Sequence, residues 1–378
     1  MTLPTLTITP VSHPASGPSS GCTNLGAIVR NVSLQALFDP STHTPEEARQ
    51  TTEFRQIEEA LYRFKVLVIK GQGDLRADEQ FAFVQAFDPD APAEHGHNDA
   101  TASHRGQKSL LYGIGNSIGS HPEVKLVGGG KQDERFGGRV LQQADHTNYH
   151  KHPLTHEERE AGFTRWHRWH MDASLFRTSL PLVTSLLCLA SPSVDPSTGE
   201  ERPELTVRWD DGSGLEMKVR AGSTGFVEGS RMLERLEGKE KEWVEGAEVE
   251  YAPWPYQWSA PSRGNSNGLG TFPEPDNVMP LEYLPPWGNG DVKRYPMVWT
   301  CPRTGVKSLQ VHPVPVRLIH PSSAPEPISD LAAVRARLDE LQRPALVPEN
   351  IWAPGYEVGD LVLFNNRAAH VAASFDPR

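Results

Sequence analysis

Cysteine is scarce in this 378-residue chain: Cys22, Cys188 and Cys301 are odd in number, widely spaced and never in a Cys-x-x-Cys pair. That excludes a disulfide framework and a thiolate metal site, and it fits a reducing compartment. Long apolar runs are missing too. The stretch Ser185-Leu186-Leu187-Cys188-Leu189-Ala190 falls far short of the roughly 20 residues that span a bilayer. No basic residue precedes Arg30, and Met1-Thr2-Leu3-Pro4 starts no apolar run. A secretory signal is therefore not expected, a cytoplasmic location is, and the sequon Asn31-Val32-Ser33 carries no glycan expectation. Positive charge is also short, 37 Lys and Arg against 48 Asp and Glu, a net charge of -11. The balance argues against nucleic acid or an anionic membrane as partner, while leaving room for a small anion in a locally basic pocket. Oligomeric state is not written in any of these features.

Proline (33), glycine (32) and tryptophan (9) are plentiful. Many chain breakers with scattered aromatics favour short strands and long turns. Residues 1–22 read as a loose N-terminal segment. Ile57, Ala60, Leu61 and Phe64 make one apolar face within a helical pattern from Pro45 to Phe64, which feeds into a buried strand, Val66 to Ile69. Residues 89–160 read as long polar loops. Leu182 to Leu189 and Thr206 to Trp209 read as strands, the latter turning at Asp210-Asp211-Gly212. Helices are expected over Ser230 to Val244 and over Asp330 to Leu341, the second capped by Ser329. Leu361 to Phe364 reads as a last buried strand. With no repeats and no clear linker, residues 1–378 are expected to form a single β-rich α+β domain with flanking helices.

Two His-x-Asp pairs stand out: His97-Asn98-Asp99 and His170-Met171-Asp172. On a strand, residues i and i+2 point to one side, so one metal ion reaches both. The first pair lies in a polar loop beside Gly96. The second follows Trp169 and precedes a strand, a rigid place to hold a metal. Asn366-Arg367-Ala368-Ala369-His370, after the last predicted strand, supplies a distant histidine. Two His and one carboxylate suit non-haem Fe(II), because they leave the opposite coordination face open. The wide separation of His170 and His370 requires the final strands to fold back beside the earlier ones, as jelly rolls do.

Over nearly its whole length the chain resembles the taurine dioxygenase-like (TauD/TfdA) Fe(II)/2-oxoglutarate dioxygenases, and within them the fungal alpha-ketoglutarate-dependent xanthine dioxygenases. The matching stretches include Ile57 to Lys70, Phe87-Asp88-Pro89, Arg168 to Ala173, Asp210 to Gly214, Glu250 to Pro253, Gly268-Leu269-Gly270, Pro296 to Trp299, Leu309 to Pro313 and Glu357 to Arg367. The resemblance implies a double-stranded β-helix (jelly roll). It implies Fe(II) held by His170, Asp172 and His370, with 2-oxoglutarate and O2 as co-substrates. Thr206 falls where the family has a threonine that binds the far carboxylate of 2-oxoglutarate. The reaction implied is hydroxylation of xanthine to urate, with 2-oxoglutarate decarboxylated to succinate.

The pattern departs from the family in two places. The family has an arginine beyond the distal histidine that pairs with 2-oxoglutarate; here only Arg378 is available, and the reading is of a truncated C-terminus and a jelly roll lacking its last strand. In the substrate pocket, Gln142 stands where the family has a lysine and His121 where it has a glutamine. Glu158 keeps an acidic position while its acidic neighbour becomes Arg159. His121, Gln142 and Glu158 are the candidate substrate contacts. Two other readings stay open: the same chemistry on another small anion such as a sulfonate, and an inactive or truncated binding homologue.

Overall fold

The computed structural model describes residues 5–12, 25–91, 116–118, 121–131, 140–141, 149–172, 175–177, 179–195, 197–274 and 277–374. His97, Asp99, Gln142 and Arg378 lie outside the described residues. The architecture is β-rich, with several small sheets and flanking helices.

The helical pattern from Pro45 forms two helices rather than one, Pro45–Gln50 and Thr52–Phe64. Thr51 separates them: its backbone is extended, and its hydroxyl accepts from Phe54 N at the start of the second helix. An N-cap threonine satisfies an amide that would otherwise lack a partner, so a helix restarts there. The second helix buries Phe54, Ile57, Ala60, Leu61 and Phe64. That is the predicted face, each of its four large side chains contributing about 1.5–3 kcal/mol on burial. The helix ends at Lys65, whose positive φ of 62° turns the chain straight into the strand Val66–Ile69.

That strand sits inside a five-stranded sheet ordered Thr7–Pro10, Ala27–Arg30, Val66–Ile69, Leu361–Asn365, Val183–Leu187. Its register pairs Phe364 with Val66 and Leu361 with Ile69. Alternation then sorts the side chains. Leu67, Ile69, Leu361 and Leu363 pack against the helices. Val66, Val68, Val362 and Phe364 face the other way, onto Phe226 and Val371. Those two belong to a second sheet, ordered Ile351–Trp352, Thr224–Glu228, Ala369–Ala373. The turn over 366–368 is therefore a corner where the chain leaves one sheet for the other, and His370 lies just past it.

The Asp210-Asp211-Gly212 turn joins Leu205–Arg208 to Glu216–Val219 in an antiparallel pair, as expected. The predicted 230–244 helix breaks into Gly229–Glu234 and Gly238–Gly246, the second starting at Gly238 with φ 51°. Leu331–Gln342 is capped by Asp330, not Ser329, through a 2.8 Å bond from Ala333 N to Oδ1. The expected 89–160 loop region contains the described strands Asn116–Ile118 and His121–Leu126 and the short helix His156–Glu160. No described helix is long and apolar enough to cross a membrane.

Candidate active site

His170-Met171-Asp172 is not part of a regular strand. Its segment is held by backbone bridges alongside the final strand. His167 N donates to Ala373 O (2.8 Å), His170 N to Val371 O (3.0 Å) and Val371 N to His170 O (2.9 Å). Trp166 and Trp169 are fully buried and anchor the segment on the core. On its other side, Trp169 N donates to Gly268 O (3.0 Å) and Trp169 Nε1 to Asn267 O (3.2 Å). Gly268 is required there. Its φ is 81°, and a Cβ would lie 2.7 Å from Trp166 O.

The 366–368 corner fixes the carboxylate residue. Asn366 is completely buried, and its side-chain amide works in both directions. Its Nδ2 donates to Asp172 O (2.6 Å), while Asp172 N donates to its Oδ1 (2.7 Å). One amide side chain thus substitutes for a pair of ladder hydrogen bonds. Gln310, also fully buried, donates from Nε2 to Asn366 O (3.1 Å) and Ala369 O (3.0 Å) and ties the corner shut.

His170 Nδ1 lies 2.7 Å from Arg168 O. A carbonyl only accepts, so the proton sits on Nδ1 and the Nε2 lone pair is left for another partner. That Nε2 lies 3.2 Å from Asp172 Oδ1. Two acceptors at that separation repel unless a cation lies with them, either a proton or a metal ion. Burial disfavours a charged His170, but the Asp172 carboxylate and the Arg168 carbonyl outweigh it and hold the imidazole above its ordinary value.

His370, on the neighbouring strand, is completely buried. Burial dominates there and pushes its pKa down to about 4. Its Nε2 lies 3.4 Å from Leu309 O, and its Nδ1 is buried with no hydrogen-bond partner. A third ring, His312, lies 6.0 Å from His170 between centroids. It too is buried with an unpartnered Nδ1, and burial, then the nearby His170 and Arg168, hold its pKa well below the ordinary value. Orphaned buried nitrogens are costly, about 1–3 kcal/mol each, and call for an explanation. Among the described residues, no three His, Cys, Asp or Glu side chains converge as a ready metal cluster. What is assembled is a facing His–carboxylate pair, a buried neutral imidazole next to it in register, and an orphaned nitrogen on that imidazole. This donor chemistry, two neutral imidazoles and one carboxylate, fits Fe(II).

The other predicted residues lie apart from this group. Thr206 is buried in the strand Leu205–Arg208, and its hydroxyl accepts from Lys218 Nζ at 2.6 Å. Glu158 accepts from Thr155 N (2.8 Å), which closes a helix capping box, and it pairs with Arg208. Those bonds hold its carboxyl below the usual range. His121 begins the strand His121–Leu126. Among the described residues, no contact joins Thr206, Glu158 or His121 to His170, Asp172 or His370. Sequence reasoning did not assign Asn366, Gln310, His312 or Lys218 any role. A polar residue between two buried strand runs is the signal that marked Asn366.

Residues 33–378 match a family model described as "Taurine catabolism dioxygenase TauD, TfdA family". The chain is 36% identical over 367 residues to the alpha-ketoglutarate-dependent xanthine dioxygenase xanA of Emericella nidulans, covering 97% of this chain and 91% of that one. It is 34% identical over 372 residues to the alpha-ketoglutarate-dependent xanthine dioxygenase xan-1 of Neurospora crassa, covering 96% and 82%. Among solved structures, a taurine dioxygenase from Burkholderia xenovorans aligns with a TM-score of 0.49 at 18% identity, covering 99% of this chain and 85% of that one.

Proposed function

The chain belongs to the TauD, TfdA dioxygenase family, and from that membership we propose that it hydroxylates xanthine to urate, with 2-oxoglutarate and O2 as co-substrates and Fe(II) as its metal. The likeness to two fungal xanthine dioxygenases over more than nine-tenths of this chain supports the substrate. The observation that carries the site is the His170 Nε2 facing Asp172 Oδ1 at 3.2 Å, alongside the strand that bears His370.

In this reading, His170, Asp172 and His370 hold the iron. When bound, Fe(II) supplies the activation of dioxygen and the co-substrate supplies the electrons. The protein's part is orientation. The Arg168 carbonyl keeps the His170 proton on Nδ1 and so directs Nε2 to the metal. Asn366 grips the Asp172 backbone from both sides. Burial keeps His370 neutral, as a ligand must be. Thr206, with Lys218 against its hydroxyl, is the proposed contact for the far carboxylate of 2-oxoglutarate, to which hydroxyl and ammonium groups both donate. The packing of the two sheets around the 366–368 corner supports a double-stranded β-helix.

The test is product stoichiometry. Purified protein with Fe(II), 2-oxoglutarate, oxygen and xanthine is expected to form urate and succinate in equal amounts. Succinate formation that is neither stimulated by xanthine nor accompanied by urate would overturn the substrate assignment.

A further inference from the structure

Arg168 precedes His170 by two residues, and its side chain is unlike the other inward-facing arginines. Arg165 pairs with Asp210 at 2.6 Å. Arg335 donates to the carbonyls of Phe272 and Glu274 and to Asn277 Oδ1. Among the described residues Arg168 has neither kind of partner: no carboxylate pairs with its guanidinium, and its Nε is buried without a hydrogen bond, as are those of Arg165 and Arg335. Aromatic groups surround it instead. The guanidinium stacks over the Tyr149 ring, 5.2 Å from the centroid, and Tyr149 is braced edge-on by His167 at 3.8 Å. Tyr256 lies within electrostatic reach of both Arg168 and Asp172. Arg263 is close enough to repel it.

A partly buried cation stacked on a ring, with a second cation near and no carboxylate paired to it among the described residues, is costly unless something anionic arrives. Stacking fixes the plane of the guanidinium and leaves its N–H fork for a planar acceptor edge. We propose that Arg168 is a specificity-determining residue that binds the anionic edge of the substrate heterocycle beside His170 and Asp172. An oxypurine presents such an edge, with carbonyl oxygen and ring nitrogen side by side. This rests on the substrate reading given above.

The experiment is anaerobic equilibrium binding of xanthine, and separately of 2-oxoglutarate, to the Fe(II)-loaded protein, comparing wild type with Arg168→Gln and Arg168→Lys. The expected result is that Arg168→Gln weakens xanthine binding by at least about tenfold while 2-oxoglutarate binding changes by less than about twofold. Arg168→Lys, which keeps the charge and loses the fork, falls between. Retained 2-oxoglutarate binding shows that the variant site is folded. Unchanged xanthine affinity in Arg168→Gln would overturn the inference alone. An equal loss of 2-oxoglutarate binding would also overturn it, because the guanidinium would then serve the co-substrate or the fold. Wild-type protein that binds 2-oxoglutarate and not xanthine would overturn the substrate reading and this inference with it.

Discussion

Two polar regions of this molecule are built on opposite plans. Around the strand Leu205–Arg208, charges come with partners. Arg208 meets Glu158 and Asp210, Arg165 meets Asp210, Lys218 meets Thr206, and Asp211 meets Arg343. Around the 366–368 corner, the backbone is tied down by Asn366 and Gln310, yet two buried imidazole nitrogens, His370 Nδ1 and His312 Nδ1, have no hydrogen-bond partner, and no carboxylate among the described residues pairs with Arg168. Paired charges hold a shape. Unpaired buried polar atoms on a rigid backbone weaken the fold and are retained where a ligand completes them. The contrast is one of pairing: salt-bridged charges in the first region, buried imidazole nitrogens without a partner in the second.

Substitutions break that contrast in a graded order. Asp172→Ala is expected to abolish urate formation while leaving the urea unfolding midpoint nearly unchanged, because the carboxylate contributes to the site and not to the core. Retained turnover would show that the metal ligands are misassigned. Asn366→Ala joins the two classes. It removes both bonds that clamp the Asp172 backbone and leaves buried groups unpaired. Stability should fall by about 2–4 kcal/mol, and Fe(II) affinity by roughly 10–100-fold. Urea titration and anaerobic iron titration read the two effects separately.

In the paired region the effects are smaller and follow pH. Burial raises the Asp211 pKa, but Arg343, Ser213 and Asn267 outweigh it and hold the carboxyl well below its ordinary value of 3.8. The unfolded chain thus binds the proton first as pH drops. The stabilisation is present at neutral pH and is lost as pH falls through 3.8 toward the lower folded value. Asp211→Asn is expected to cost about 1 kcal/mol at pH 7, a figure discounted for solvent screening. The gap from wild type should begin to narrow at pH 3.8 and close as pH approaches the lower folded value. A gap that stays constant as pH falls through that window would mean that Asp211 acts through packing. Glu158→Gln is expected to have the least effect, about 0.5 kcal/mol, with kcat within about twofold of wild type, because Glu158 is committed to Thr155 and Arg208. A large rise in the KM for xanthine would move Glu158 into the substrate pocket.

Much of this was legible in the sequence where periodicity carries the information. The apolar face of Thr52–Phe64 and the buried runs at 66–69, 183–187 and 361–365 follow from side-chain spacing alone, as does the turn at Asp210-Asp211-Gly212. The His170–Asp172 pair was visible because its spacing is local. What failed was also physical. The pair was expected on a strand, but only bridges to the 369–373 strand hold it, because Trp166 and Trp169 turn inward onto the core. Helix breaks at Thr51 and near Gly238 depend on single residues that interrupt an otherwise continuous apolar pattern. The Asn366 clamp and the lone Arg168 guanidinium depend on segments distant in the chain, which no local pattern encodes.

The central claim is that His170, Asp172 and His370 hold one iron to which 2-oxoglutarate binds. Anaerobic Fe(II) titration in the presence of 2-oxoglutarate, followed by the visible metal-to-ligand charge-transfer band, tests it most directly. Wild type should reach the full band at one Fe(II) per chain and shift it on adding xanthine, and His370→Ala should give no band although folded. A His370→Ala protein that develops the wild-type band at the same Fe(II) concentration would contradict the account.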